Sequence, residues 1–500
     1  METYKERRIG AVLSYISRGL GIAIGILYTP IMIRLLGQDD FGLYNLVAAV
    51  IASLGVLNFG FDSSYVHFFS KYKIKNDQAG IAALNGQFTI IYIFISLLVL
   101  FAGFIITENL NLVFGDGLTM VEMHKMKIMV LLLIFNMFFR FNLMVFSTYI
   151  TANQRFIFQN IIAIINQISS PLISLPVLLA GYGSIGLVLV TVLVNVVTLL
   201  ANVIYCFTKL NIKFIFNRFD KELFISVGSY SFFIFLNMVV DQINNELDKV
   251  ILGRYRGTLS VAIYSVGEKI SLYYTQMSTV ISQIFTPKIH QMIGSNDYKR
   301  EINVLFNMVG RIQFFILILV ASGFVIFGQE FINIWAGDGY EEAYQIALIL
   351  IIPLTIPLIQ NVGIEIQRSQ NKHQFRSIVL FIIAIFNVVL TIPLSQIYGG
   401  LGAAIGTSLS LLIGNGLIIN IYYHKNIGLD IIKFWQNIFS TFPALLLPFL
   451  IGGLIHYFVT IDSLILLGVY GLIYALCFCA SVWCFALNAS EKQLLKQPFN

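Results

Sequence analysis

Residues 9–35 read IGAVLSYISRGLGIAIGILYTPIMIRL, and between Ile9 and Ile33 the single charged residue is Arg18. An α-helix rises about 1.5 Å per residue, so about 20 apolar residues cross the ~30 Å hydrocarbon core of a bilayer. The stretch is long enough to span. Lys5, Arg7 and Arg8 precede it, but it is too long for a signal-peptide core and lacks a convincing cleavage site, so a retained first transmembrane helix is expected.

The same pattern continues to the other end of the chain. Of 500 residues, 58% are hydrophobic and 11% charged, and the mean hydropathy is +0.83. Soluble domains lie nearer ~45–50% apolar and ~25% charged, which excludes a soluble enzyme or a disordered scaffold. Apolar runs fall at about 9–34, 41–69, 82–107, 123–150, 156–180, 184–208, 223–250, 258–287, 302–327, 343–366, 375–398, 400–423, 437–460 and 463–487. The expected fold is therefore all-α, a polytopic membrane protein of 14 transmembrane helices.

Charge sets the orientation. With an even span count and a cytoplasmic N-terminus, 21 of the 31 Lys and Arg residues fall in inner loops or termini, against Arg34, Lys125, Lys127, Lys249, Arg254 and Arg256 outside. The positive-inside rule then places both termini in the cytoplasm. The net charge of +6 is topological, and no nucleic-acid partner is expected.

Weak internal repetition divides the chain. Gly42-Leu43-Tyr44-Asn45 resembles Ala262-Ile263-Tyr264-Ser265, and Asn76-Asp77 recurs as Asn296-Asp297. Ile161–Asn166 meets Ile382–Asn387, and Tyr182–Gly186 meets Tyr398–Gly402, all in order. An offset of six helices implies two parallel six-helix lobes related by a pseudo-two-fold axis along the membrane normal, facing a central cavity. The expected domains are 1–212, 213–425, and 426–500 with the last two helices and the tail. The basic and aromatic stretch Lys209–Glu222 reads equally well as an interfacial segment and as a solvated loop.

Charges inside spans cost several kcal/mol at mid-bilayer, so they face protein or a wet cavity. The cations are Arg18, Arg140, Lys269 and Arg311, candidates for lining a central cavity, with tying helices together by salt bridges as the alternative. Asp62, Asp241 and Glu268 are candidates to balance them or to carry a coupling ion, H+ or Na+. Asn237, Asp241, Asn245 and Asp248 make one polar stripe at helical spacing, and Glu268, Ser271 and Thr275 begin another. For the hydroxyls, tying helices together is the stronger reading.

Other chemistry is missing. No G-x-x-x-x-G-K-[ST] phosphate loop and no G-x-S-x-G elbow occurs, the six histidines are dispersed, and the four cysteines lie in apolar helices without metal spacing. No metal or other cofactor is expected, and any pumping must draw on an ion gradient.

Tyr28-Thr29-Pro30-Ile31-Met32-Ile33-Arg34-Leu35-Leu36-Gly37-Gln38-Asp39-Asp40-Phe41-Gly42-Leu43-Tyr44, with Leu247-Asp248-Lys249-Val250-Ile251-Leu252-Gly253 later, resembles polysaccharide-type flippases of the multidrug/oligosaccharidyl-lipid/polysaccharide exporter superfamily. Ser231 and Ala262 depart from that pattern, where a Pro and a Gly are usual. The resemblance covers essentially the whole chain. It implies translocation of a polyprenyl-pyrophosphate-linked oligosaccharide repeat unit for O-antigen, capsule or a related glycan, in a bacterial cell (inner) membrane. It implies membrane lipids, a polysaccharide polymerase and chain-length machinery as partners, and for the final hairpin with Pro443 and Pro448 either a groove for the polyprenyl tail or a lipid-facing packing role. Two other readings stay open, an ion-coupled drug or organic-cation antiporter of the same fold and a membrane-embedded glycan polymerase or ligase.

Overall fold

The computed structural model describes residues 2–217, 221–292, 298–370, 372–489 and 491–492. Arg218 and Phe219 of the interfacial stretch, Asn296-Asp297 of the repeat, Asn371 and the tail after Lys492 lie outside the described residues. Among the described residues there is helix and no strand. Among the described residues, ten helical ranges are long and apolar enough to cross a membrane, eleven if the pair bent by 46° after Asn142 is counted as one span. Two of the ten, Val12–Ile74 and Gln374–Ile427, run 63 and 54 residues, each long enough for two spans.

Packing groups the chain into unit 1, Met1–Ala262, and unit 2, Ile263–Asn500. The seventh span lies in unit 1, where it packs mainly on the first two spans. Unit 1 holds α1 (Glu2–Gly55), α2 (Phe61–Ile74), α3 (Gln78–Glu108), α4 (Leu110–Phe114), α5 (Met120–Asn142), α6 (Met144–Ala152), α7 (Phe156–Leu179), α8 (Gly183–Thr208), α9 (Lys221–Tyr255) and the start of α10 (Gly257–Met292). α1 is two arms joined at Gly37, whose φ of 76° and ψ of 171° break the helix between the first two spans. The second span breaks again at Phe59 and Gly60, both left-handed, before α2 begins.

The first arm of α1 meets α7 through small and polar residues. Asn160 Nδ2 donates to the Gly10 carbonyl at 3.0 Å, Gln167 Nε2 to Ser17 Oγ at 3.3 Å, and Tyr28 bonds Ser174. In lipid there is no hydrophobic force between helices, so close packing and such bonds hold them. The segment after α8 is docked: Ile215 N donates to the Ala82 carbonyl at 2.9 Å and Asn85 Nδ2 to that of Lys213 at 2.8 Å.

Unit 2 continues with α11 (Tyr298–Trp335), α12 (Glu341–Ile359), α13 (Asn361–Ser369), α14 (His373–Leu411), α15 (Asn420–Tyr422), α16 (Ile431–Phe439), α17 (Phe442–Phe458) and α18 (Leu464–Phe485). Gly399, φ 60°, divides α14 as Gly37 divides α1, and its repeat partner Gly183 has φ 56°. Residues Leu412–Ile419 and Tyr423–Ile427 are π-helical. The α17–α18 hairpin lies on α11, where Tyr474 Oη donates to Ser322 Oγ at 2.6 Å and a Cβ on Gly452 would meet Ile326 and Tyr474.

Candidate functional site

The residues Gly37 to Gly42 set the end of unit 1 that carries the expected outer loops. After the Gly37 turn, Asp40 accepts from Lys125 Nζ at 2.7 Å and from Ser184 Oγ at 3.3 Å, which ties α1 to α5 and α8. Phe41 and Leu43 are fully buried. A Cβ on Gly42 would stand 1.9 Å from the Thr258 carbonyl, so α1 and α10 touch backbone to backbone. Thr258 Oγ1 donates to Glu122 at 2.6 Å, and Arg254 Nη1 donates to the carbonyls of Leu112 and Val113 at 3.0 and 2.5 Å. Gly117 lies under the carbonyls of Gly253 and Arg254. This end of α9 and α10 is sealed onto α1, α4 and α5.

The other end of α9 closes on α2. Ser64 and Ser231 hydroxyls are 2.6 Å apart and buried, His67 stacks on Tyr230 at 4.7 Å, and Phe59 meets Phe235 at 5.0 Å. A Cβ on Gly60 would strike Ile234. Ser231, which stands where the flippase pattern has Pro, thus supplies the hydroxyl that meets Ser64.

Between these contacts, Asn237, Asp241 and Asn245 are exposed on α9, whereas Asp248 is buried with Lys249, which pairs with Glu246 at 2.7 Å. The stripe is exposed at three of its four positions. Arg18 is exposed on α1 beside buried Ser17, and Arg140 is exposed in the last turn of α5, where a cation suits the helix dipole. Asp62 stands in the first turn of α2, a favourable place for a carboxylate, and accepts from Asn58 Nδ2 at 3.2 Å and the Ser63 amide at 3.0 Å.

In unit 2, Glu268 and Lys269 are half-buried neighbours on α10. Ser271 Oγ donates to the Glu268 carbonyl at 2.7 Å and Thr275 Oγ1 to the Ser271 carbonyl at 2.9 Å, so both hydroxyls are turned back onto their own helix. Farther along, Ser278 Oγ donates to the Leu358 carbonyl, and Gln313 Nε2 reaches Ser282 Oγ at 2.6 Å.

Arg311 is not an exposed cavity cation. It is 6% exposed, and Nε donates to Glu491 Oε1 at 2.6 Å, Nη1 to the Asn437 carbonyl at 2.9 Å, and Nη2 to the Ala486 carbonyl at 2.7 Å and Glu491 Oε2 at 3.2 Å. Four of its five N–H donors are committed, and the carbonyls belong to the ends of α16 and α18. Sequence reading missed Glu491 and Gln313. Gln313 was visible as a polar residue two places after Arg311, but the partner of Arg311 lies 180 residues away.

A family model described as "Polysaccharide biosynthesis protein" matches residues 31–345. EpsK, an uncharacterised membrane protein of Bacillus subtilis strain 168, is 22% identical over 493 residues, 96% of this chain and 95% of its own. A probable flippase of Haloferax volcanii, AglR, is 24% identical over 215 residues, 42% of this chain and 44% of its own. Among solved structures, the lipid II flippase MurJ in an inward closed conformation superposes with a TM-score of 0.73 over 94% of this chain and 98% of its own, at 16% identity. At that identity the likeness is one of fold.

Proposed function

Since this chain belongs to the polysaccharide biosynthesis protein family, we propose that it flips a polyprenyl-pyrophosphate-linked oligosaccharide repeat unit from the inner to the outer leaflet of a bacterial cell membrane. It is a multi-pass membrane transporter of the flippase kind and not an enzyme. The observation that carries the substrate reading is the exposure of Arg18 and Arg140 in the first and fourth spans. Arginine in a membrane helix faces protein or a polar cavity, and the forked guanidinium suits a diphosphate better than a point charge does. Lys269, half-buried, adds a third cation.

Translocation on this reading proceeds by alternating access and is driven by a proton or sodium gradient with no bound cofactor. Asp241, exposed in the α9 stripe, Glu268 and Asp62 are the acids that sense the ion. Both termini are cytoplasmic, and a polymerase with its chain-length machinery receives the exported unit. The contacts of α9 at both ends support a closed state of a cycle that opens each end in turn.

The test is substrate movement by purified protein in liposomes under an imposed proton or sodium gradient without nucleotide. Arg18→Ala and Arg140→Ala lower transport at least tenfold with unchanged folding, and the Lys replacements keep part of it. Transport indifferent to both gradients and to neutralising each acid overturns the coupling. Wild-type transport by the alanine variants overturns the assignment of the cations. Reporter fusions at Lys73 read cytoplasmic and at Asp116 and Asp338 external.

A further inference from the structure

At the inner end of unit 1, a cavity of about 250 Å³ is lined by Gln154, Arg155, Phe156, Phe158, Ile161 and Tyr205. The turn that builds it is well defined. α6 ends with the Arg155 amide donating to the Ile150 carbonyl at 3.2 Å and the Gln154 amide to that of Thr151 at 2.9 Å. This is the paired bonding that closes a helix on a left-handed residue, a place usually given to Gly. Here Gln154 takes it with φ 61°, so a polar side chain stands at the cavity where glycine would be easier.

Arg155 lines the cavity, and a second cation stands beside the turn: Lys73, exposed at the end of α2, donates to Asn153 Oδ1 at 3.4 Å and lies over the Phe69 ring. An anion in the cavity would meet the Arg155 guanidinium, with the Lys73 ammonium adding to the field from next to Gln154. α7 begins at Phe156 with no side-chain cap bond, so the positive end of its dipole adds to the same field. The remaining wall is aromatic, with Phe158 and Tyr205 stacked at 3.8 Å and nearly parallel.

The position is used twice. Arg376 follows Arg155 by 221 residues, the offset that also superposes Ile161–Asn166 on Ile382–Asn387. It lies in the first turn of α14 as Arg155 caps α7, half-buried, with its guanidinium 3.4 Å from Asn415 Oδ1 and 3.5 Å from Tyr423 Oη. An arginine thus stands near the start of each of these two helices.

We propose that the cavity beside Arg155 and Lys73 binds the phosphate of an anionic phospholipid headgroup from the cytoplasmic leaflet. Its volume is below the ~300 Å³ at which pockets begin to hold drug-sized ligands, which suits a headgroup and not an oligosaccharide. Phe156, Phe158 and Tyr205 suit the headgroup level of a bilayer, where aromatic rings gather, and a free phosphate would leave that wall unused.

The experiment is native mass spectrometry of the full chain with added phosphatidylglycerol or phosphatidylcholine. The wild type keeps a phosphatidylglycerol adduct that phosphatidylcholine does not replace. Arg155→Gln and Lys73→Gln each lower the ratio of bound to free lipid roughly fivefold, the effect of one surface cation, and Arg155→Lys lowers it less. Lys73→Gln alters an exposed side chain outside the turn, so it reports even where an Arg155 variant folds poorly. Equal retention of phosphatidylglycerol by both Gln variants, or equal binding of the two lipids by the wild type, overturns the site. Displacement of the adduct by millimolar inorganic pyrophosphate, with the same dependence on Arg155, would assign the cavity to a diphosphate and overturn the lipid assignment.

Discussion

Arg311 Nε and Glu491 Oε1 lie 2.6 Å apart across 180 residues of chain, with both side chains almost wholly buried. Glu491 also accepts from the Asn488 amide at 2.9 Å, so the residues after α18 fold onto the guanidinium and hold it against the ends of α16 and α18. Removing one partner of such a pair leaves a buried charge uncompensated, at about 3–5 kcal/mol. Arg311→Ala and Glu491→Ala should therefore both lower the melting temperature and the amount of protein in the membrane, with transport falling in proportion. A stable, abundant Arg311→Ala protein that no longer transports would return Arg311 to the substrate path.

Gly42 bears on the packing of unit 1. A Cβ there would stand 1.9 Å from the Thr258 carbonyl, a backbone atom that cannot move alone, whereas one on Gly19 meets nothing within 4 Å. Gly42→Ala should destabilise the protein by at least the ~1–3 kcal/mol of an overpacked core. Gly19→Ala, in a helix interior, should be neutral or stabilise by up to ~1 kcal/mol. Thermal melting of the two variants side by side measures the difference, and equal melting would show that α1 and α10 separate at no cost.

The spans were legible because each carries enough apolar residues in one run, and the Gly37 break lies between two such runs. The break at Phe59 and Gly60 inside the second run was not, since hydropathy windows average over two left-handed residues. The bend after Asn142 has no Pro or Gly to announce it. The unit boundary follows packing, which hydropathy does not report: α9 packs with α1 and α2. For the site, a charge in an apolar run signals that a partner exists and never which one. Arg18 and Arg311 look alike in sequence, yet one is exposed and the other buried.

Ser278 and Thr275 separate a tie between helices from a bond within one. Ser278 Oγ donates to the Leu358 carbonyl at 2.8 Å and accepts from Asn361 Nδ2 at 2.9 Å and Gln313 Nε2 at 3.2 Å, whereas Thr275 Oγ1 donates to the Ser271 carbonyl of its own helix. Polar contacts in membrane proteins average about 0.6 kcal/mol, and three on one oxygen should exceed that. Ser278→Ala should lower the melting temperature clearly more than Thr275→Ala does. Equal losses would mean that the Gln313 amide finds other partners at once.

Ser64 and Ser231 offer a way to hold α2 and α9 together and ask whether transport needs them apart. Their hydroxyls are 2.6 Å apart in a buried contact backed by the His67–Tyr230 stack, so cysteines at both positions bring two sulfurs within reach of one another. The pair Ser64→Cys and Ser231→Cys should cross-link under mild oxidant, read as a mobility shift on denaturing gels in a background where Cys206, Cys477, Cys479 and Cys484 are replaced. If α9 must leave α2 for the inner end to open, the oxidised protein stops transporting and recovers on reduction, while each single cysteine variant is unaffected by oxidant. A cross-linked protein that transports at the reduced rate would show that this contact persists through the cycle, and the moving contact would then be the seal of Gly42 on Thr258.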